Sequence, residues 1–370
     1  MLQITYVDHR LNTLQSITIM QRSLLLFENS IKSQETLKLY KRSLQRFLEY
    51  FKLKDHDSLL AMDKEMLQQM IEDYVIMLKG RGLARETIRT PICATELFCD
   101  VNNIQLNFKK MRRLLPERKK RAGDKAYTTD HIKQMLEFTT SVRNKAIIMF
   151  LAASGCRIGA LMDLKVKHVK DYKLGCKVVT IYPDSKDEYT TFLTPESSRY
   201  LDEYLNKRIK DGEYLTPESP LFRQHYSIGI MKARSIKRVT LQFIIDRIVR
   251  RAGLRSGNDG KRREIQLDHG FRKRWNTIMK TTDGMKVVLV EKMFGHDITL
   301  PLDETYLVPS VDKLFIEYQK AIPELTISNE TRQQLIIQKQ QKEINEKDEL
   351  KRMILENAAK IKRLEDMNKG

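Results

Sequence analysis

The chain has 370 residues, enough for two domains with their own cores and an appendage. Its 67 Lys and Arg against 48 Asp and Glu give a formal net charge of +19, a surplus that points to a polyanionic partner, because a fixed positive field attracts phosphates and binding gains from released counterions. No apolar run reaches membrane-spanning length, the N-terminus lacks a signal-peptide pattern, and Cys93, Cys99, Cys156 and Cys176 show no CxxC spacing, so a spanning protein, a zinc ribbon and a disulfide scaffold are disfavoured and a cytoplasmic protein with reduced thiols is expected.

Residues 1–27 open with Leu2, Ile4 and Tyr6 in alternation, a brief strand-like pattern, and read as an N-terminal arm. Residues 28–115 turn helical. Leu37, Tyr40, Leu44, Phe47 and Leu48 recur at three and four residue intervals after a helix start at Ser33. A second helix carries Met66, Met70, Ile71, Tyr74 and Leu78 and stops at Gly80-Arg81-Gly82, and a third runs from Ala84 through Ile88, Ile92 and Leu97. Residues 116–127 hold Pro116, Gly123 and the cations Arg118, Lys119, Lys120 and Arg121, with almost nothing apolar. This is an exposed basic linker, either simply solvated or a strap that tracks a phosphate backbone.

Residues 128–325 form the larger unit. Thr128-Thr129-Asp130 caps a helix, and Ala146–Ala153 is an apolar helix running into Gly155. Val178–Tyr182 and Tyr189–Leu193, rich in β-branched and aromatic residues and joined by a polar turn, read as a β-hairpin. Helical pattern then dominates from Pro195 to Tyr318. Residues 326–370 are polar, with Leu350, Ile354, Ile361 and Leu364 at a and d spacing and Asn357 at one d position, which reads as a long helix that either stands alone or pairs as a weak coiled coil. The expected class is mainly α with a small antiparallel sheet.

One constellation carries chemistry. Arg157 stands in Ser154-Gly155-Cys156-Arg157-Ile158-Gly159, His269-Gly270-Phe271-Arg272 follows, then Gly295-His296, then Tyr306 ten residues after that histidine. Arginine forks clamp a phosphodiester, histidines move protons or donate hydrogen bonds, and a tyrosine oxygen can attack phosphorus. Each piece alone is weak. An isolated arginine is usually exposed or salt-bridged, and a lone tyrosine usually packs.

In this order and spacing the pieces resemble the tyrosine recombinases, the phage-integrase family. The segment from Arg157 through Met162-Asp163-Leu164-Lys165 looks like that family's first arginine box, His269-x-x-Arg272 like its second, and Gly295-His296 with Tyr306 like its nucleophile segment. The stretch Val311–Tyr318 with Ile322–Leu325 also resembles recombinases of archaeal mobile elements. The resemblance implies a helical, SAM-like core-binding domain over 28–115 and a mixed α/β catalytic domain over 128–325. It leaves out the arm and the tail.

What the resemblance further implies is a site-specific recombinase or integrase that joins DNA to Tyr306 through a 3′-phosphotyrosyl bond, with no metal, ATP or other cofactor. Arg157 and Arg272 would clamp the phosphate, His296 would add a hydrogen bond, and His269 would be the general base. Lys186 in the hairpin turn would protonate the leaving oxygen, although another hairpin register puts Asp184 at that position, and Asp184 cannot serve. Arg118, Lys119, Lys120, Arg121 and Lys273 would contact DNA, as could the basic segments Lys232–Arg238 and Arg247–Arg255. The expected partners are double-stranded DNA and further copies of the chain, a dimer on each site and a tetramer in synapsis, with no membrane and no small-molecule substrate. Ala160 and Lys273 depart from the family's usual acidic residue and histidine at those places. A type IB topoisomerase-like activity and a catalytically silent DNA-binding protein are the alternatives.

Overall fold

The computed structural model describes residues 19–118, 125–224, 233–255, 264–296 and 308–367. Lys119, Lys120, Arg121 and Tyr306 lie outside the described residues. The chain divides into two compact units, residues 1–120 and 121–370.

The described part of the first unit is helical: α1 (Ile19–Ser30), α2 (Gln34–Phe51), α3 (Lys64–Gly80), α4 (Arg85–Val101) and α5 (Phe108–Leu114). Ser33 caps α2, its hydroxyl accepting from the Thr36 amide at 3.4 Å, and Asp63 caps α3 the same way. The apolar stripes bury Leu44, Phe47 and Leu48 of α2 against Ile71 and Tyr74 of α3 and Ile88, Ile92 and Phe98 of α4. Residues 19–27, read from sequence as the end of an arm, instead belong to α1, whose Phe27 is fully buried edge-on to Phe98. A second anchor is the hydrogen bond from Ser23 to Asp57.

In the second unit α6 (Thr129–Glu137) begins at the expected cap, where the Thr128 hydroxyl accepts from the His131 amide at 3.1 Å. Helix α7 (Val142–Ser154) is buried at every position from Ala146 to Ser154, which explains its lack of a polar face. Strands β1 (Val169–Asp171), β2 (Lys177–Ile181) and β3 (Tyr189–Leu193) form an antiparallel sheet in that order, with Val179 opposite both Val169 and Thr191. Then come α8 (Pro195–Lys210), α9 (Arg238–Arg251), α10 (His269–Thr281), α11 (Val287–Phe294), α12 (Val311–Leu325) and α13 (Asn329–Met367).

A core of Ile147, Phe150, Leu161, Leu193, Leu201 and Phe222 surrounds α7. A second core, with Trp275, Phe294, Phe315 and Tyr318, joins α10, α11 and α12. The Tyr318 hydroxyl donates to the Ala153 carbonyl at 2.8 Å and so ties the two together. Glu196 in the first turn of α8 accepts from the Ile327 and Ser328 amides at 2.7 and 3.0 Å, fixing the start of α13. Further along that helix Ile337, Ile344, Leu350 and Ile354 are exposed.

The four cysteines are free thiols. Burial pushes the thiols of Cys99 and Cys176 up to about 12 and that of Cys156 up to about 11. Among the described residues no helix is long and apolar enough to cross a membrane.

Candidate active site

Helix α7 stops at Gly155 because the chain there turns left-handed, at φ +59°, and a Cβ would come within 2.6 Å of the Trp275 ring. Arg157 follows, exposed, and the buried Ile158 and Leu161 hold the next short 3-10 turn against the core. One guanidinium nitrogen of Arg157 donates to the Gly295 carbonyl at 3.4 Å. This brings two segments 138 residues apart to one place.

Helix α10 supplies the next pair. His269 is its first residue and is exposed, while Arg272, one turn later on the same face, is 6% exposed. The Nη1 of Arg272 donates to the Gly155 carbonyl at 2.9 Å and its Nη2 to the Phe294 carbonyl at 2.7 Å. Both acceptors sit where a helix ends, so two partially negative helix termini face one cation. The guanidinium carbon also lies 3.5 Å from the centroid of the Phe294 ring, a cation–π contact. Burial pulls the guanidinium below its ordinary range, opposed by the Tyr189 phenol and reinforced by Arg157.

Helix α11 ends at Gly295, again left-handed at φ +61°, where a Cβ would meet the Tyr189 ring at 2.4 Å. The next residue, His296, is placed by two contacts. Its ring stands edge-on to Phe294, with centroids 4.4 Å apart, and its Nδ1 is 2.7 Å from Glu291 Oε2. Phe294 in turn stacks on Trp275 at 5.2 Å with an interplanar angle of 2°. Gly295→Ala is expected to destabilise the protein by about 1–3 kcal/mol, from an overpacked ring and a left-handed alanine. Thermal unfolding beside wild type checks this, and an unchanged melting temperature would contradict the tight approach.

The sheet contributes the turn between β2 and β3. Ile181 pairs with Tyr189, leaving a loop over 182–188 in which Tyr182 and Asp184 take positive φ, +51° and +61°. The Asp184 amide donates to the Glu188 carboxylate at 2.7 Å. Lys186 is exposed and lines a cleft of 440 Å³ with Arg157, Tyr182, Lys292, Gly295 and His296. A smaller cavity of 120 Å³ is lined by Arg157, Tyr182, Arg238, His269 and Arg272. Because Arg157 and Tyr182 belong to both, Arg157, Lys186, His269, Arg272 and His296 share one composite depression. Asp184 does not line either cavity.

The remaining expected residues fall elsewhere. Lys273 is half-buried on α10 outside both cavities, and exposed Arg118, in the first unit, lies 3.8 Å from Glu86. Four contributors were not singled out from sequence: Tyr182, Lys292, Glu291 and Lys280, the last an ion-pair partner of Glu291. Arg238 is the end of a basic segment noted there only as a DNA-contact candidate. No local sequence signal marks Glu291, which sits five residues before His296 in a short helix whose other charged residue is Lys292.

Sequence comparison matches residues 125–300 to the phage integrase family. The chain is 29% identical over 182 residues to tyrosine recombinase XerD of Oceanobacillus iheyensis, covering 47% of this chain and 59% of that protein. It is likewise 29% identical over 189 residues to tyrosine recombinase XerC of Lactobacillus delbrueckii subsp. bulgaricus, covering 50% of this chain and 56% of that protein. The chain therefore spans less than two thirds of the length of these relatives. Among solved structures, the XerH site-specific recombinase bound to difH substrate superposes with a TM-score of 0.51 at 20% identity, over 76% of this chain and 78% of that one. The Tn1549 transposon integrase in complex with circular intermediate DNA gives a TM-score of 0.53 at 16% identity, over 80% and 99%. In sequence over residues 125–300, and in fold, the protein is thus similar to the phage integrase family of tyrosine recombinases.

Proposed function

We propose that the chain is a site-specific DNA recombinase that cuts and rejoins strands through a 3′-phosphotyrosyl intermediate on Tyr306. The observation that carries this reading is the gathering of Arg157, Lys186, His269, Arg272 and His296 around two adjoining cavities. The similarity to XerC and XerD supports it, as do fold relatives held in complexes with a DNA substrate or intermediate.

The chemistry follows from charge. A phosphodiester in line for displacement accumulates negative charge on its non-bridging oxygens, and donors fixed in advance stabilise it. Arg157 and Arg272 supply forked donors that stay charged at any working pH, and His296 adds a third. Tyr306 Oη attacks phosphorus as its proton passes to His269. The P–O5′ bond breaks while Lys186 gives a proton to the departing oxygen. A 5′-hydroxyl from a second duplex then reverses these steps, so phosphodiester bonds are conserved and no ATP is consumed. Two duplexes must meet, which calls for a dimer on each site and a tetramer in synapsis. Arg118, Lys119, Lys120, Arg121 and Lys273 would hold the backbone, and the net charge of +19 suits that partner. The resemblance of residues 311–325 to archaeal recombinases favours an enzyme carried by a mobile element.

The test is covalent trapping on a nicked suicide duplex in EDTA, since the arginine clamp stands in for metal charge. An adduct mapped to Tyr306, with strand exchange on two-site substrates, is expected. Absence of any adduct leaves a silent DNA-binding protein, and an adduct with relaxation but no exchange leaves a type IB topoisomerase-like enzyme.

A further inference from the structure

We infer that Glu291, held by Lys280, is a positioning residue that fixes the His296 tautomer and thereby decides which ring nitrogen is offered to the scissile phosphate. The inference rests on the recombinase reading above for its functional consequence, but its structural content does not.

His296 Nδ1 and Glu291 Oε2 are 2.7 Å apart, a hydrogen-bond distance in which the proton can sit on either partner. Glu291 decides the matter. Burial alone would raise its carboxyl, yet hydrogen bonds from Lys280 and His296 outweigh burial and hold it below the ordinary carboxylate range. It is therefore ionised and can only accept, so the proton lies on Nδ1. Lys280 ion-pairs with the other carboxylate oxygen, Oε1, from α10, while His296 binds Oε2 from just past α11. The carboxylate is thus spanned by two partners and has one orientation. Packing fixes the ring as well, because Phe294 meets it edge-on and is itself stacked on the fully buried Trp275.

With Nδ1–H committed to Glu291, Nε2 is the nitrogen left for the cleft that His296 lines. A neutral ring in this tautomer offers Nε2 only as an acceptor. Nε2 can donate to a phosphate oxygen only when both ring nitrogens carry a proton. Among the described residues, the charged groups around His296 are Glu291 and Lys292 of α11, Lys280 of α10, Arg157, and Lys186, Asp187 and Glu188 of the hairpin turn. Among the described residues only Glu291 is hydrogen-bonded to a ring nitrogen. The phosphate would therefore meet the forks of Arg157 and Arg272 and the Nε2 of a ring that Glu291 holds from behind.

Glu291→Gln changes this without changing shape. Its amide can donate to Nδ1, which puts the proton of the neutral ring on Nε2, where it can serve the phosphate uncharged. The experiment records the nitrogen chemical shifts of His296 in the DNA-free full-length protein, and single-turnover cleavage against pH. Expected are an Nδ1–H neutral tautomer in wild type, an Nε2–H tautomer in Glu291→Gln, and a cleavage rate that falls on the alkaline side in wild type but persists to higher pH in the variant. Glu291→Ala, which leaves the ring unheld, is expected to cleave about 10-fold more slowly. Lys280→Met provides a second route: it should weaken the Nδ1–H preference while leaving Glu291 in place. An Nε2–H tautomer in wild type, or one unchanged in Glu291→Gln, overturns the inference whether or not the protein cleaves DNA. Tautomers as expected with no adduct from wild type would instead sink the recombinase reading alone.

Discussion

Tyr306→Phe is expected to abolish the covalent adduct, while Tyr182→Phe and Tyr189→Phe keep it. The comparison matters because two other phenols stand closer in sequence to the clamp. Tyr182 lines both cavities, and Tyr189 packs against Gly295 and beside Arg272. Burial raises both phenols above the ordinary tyrosine value, so each is a poorer source of phenolate than a free tyrosine at about 10. Peptide mapping of the trapped DNA reads the outcome. An adduct on Tyr182 or Tyr189, or one that survives Tyr306→Phe, would remove Tyr306 from its role.

Arg272→Ala should be the most damaging change among the described residues, lowering single-turnover cleavage by about 10³-fold or more, since it deletes more than one oxyanion donor. Its effect on folding has opposing parts. Loss of the guanidinium leaves the Gly155 and Phe294 carbonyls without their donor, at about 1–3 kcal/mol each. Against this, a desolvated cation no longer has to be buried. The net expectation is a modest fall in melting temperature beside a large fall in rate. Arg272→Lys keeps the charge but has one nitrogen where two diverging donors are used, so it should bond one helix end and recover only part of the rate. Rates within about threefold of wild type for Arg272→Ala would show that the phosphate is held elsewhere.

Much of the fold was legible in the sequence where one periodicity ran long enough. The stripes of α2, α3 and α4 are such cases, burying Leu44, Phe47, Leu48, Ile71, Tyr74, Leu78, Ile88 and Ile92 while leaving Met66 exposed, and the β-branched and aromatic runs of β2 and β3 pair as a hairpin. Strand β1 is three residues with a single half-buried position, too short to carry a pattern. Helix α1 hides for another reason: Leu24–Phe27 are four apolar residues in a row rather than a spaced stripe, and Phe27 alone of these is wholly buried. The site was legible as residue types in order, because arginines and histidines of that spacing have few other uses in combination. Its supporting members were not. Glu291 and Lys280 meet through the crossing of α10 and α11, Tyr182 enters from the loop between β2 and β3, and Arg238 from the start of α9, so no sequence interval announces them.

The placing of Arg272 between the ends of α7 and α11 has a thermal consequence. Helix ends open more readily than helix centres, and the amides there are modestly bonded: Gly155 to Leu151 at 3.1 Å, Gly295 to Lys292 and His296 to Glu291 at 3.3 Å. Fraying of either end would withdraw a carbonyl and let the guanidinium swing before the buried middle of α7 loosens. On warming, the protein should therefore stop cutting before it melts. Deuterium should also enter at Gly155–Arg157 and Gly295–His296 well ahead of Ile147–Leu151.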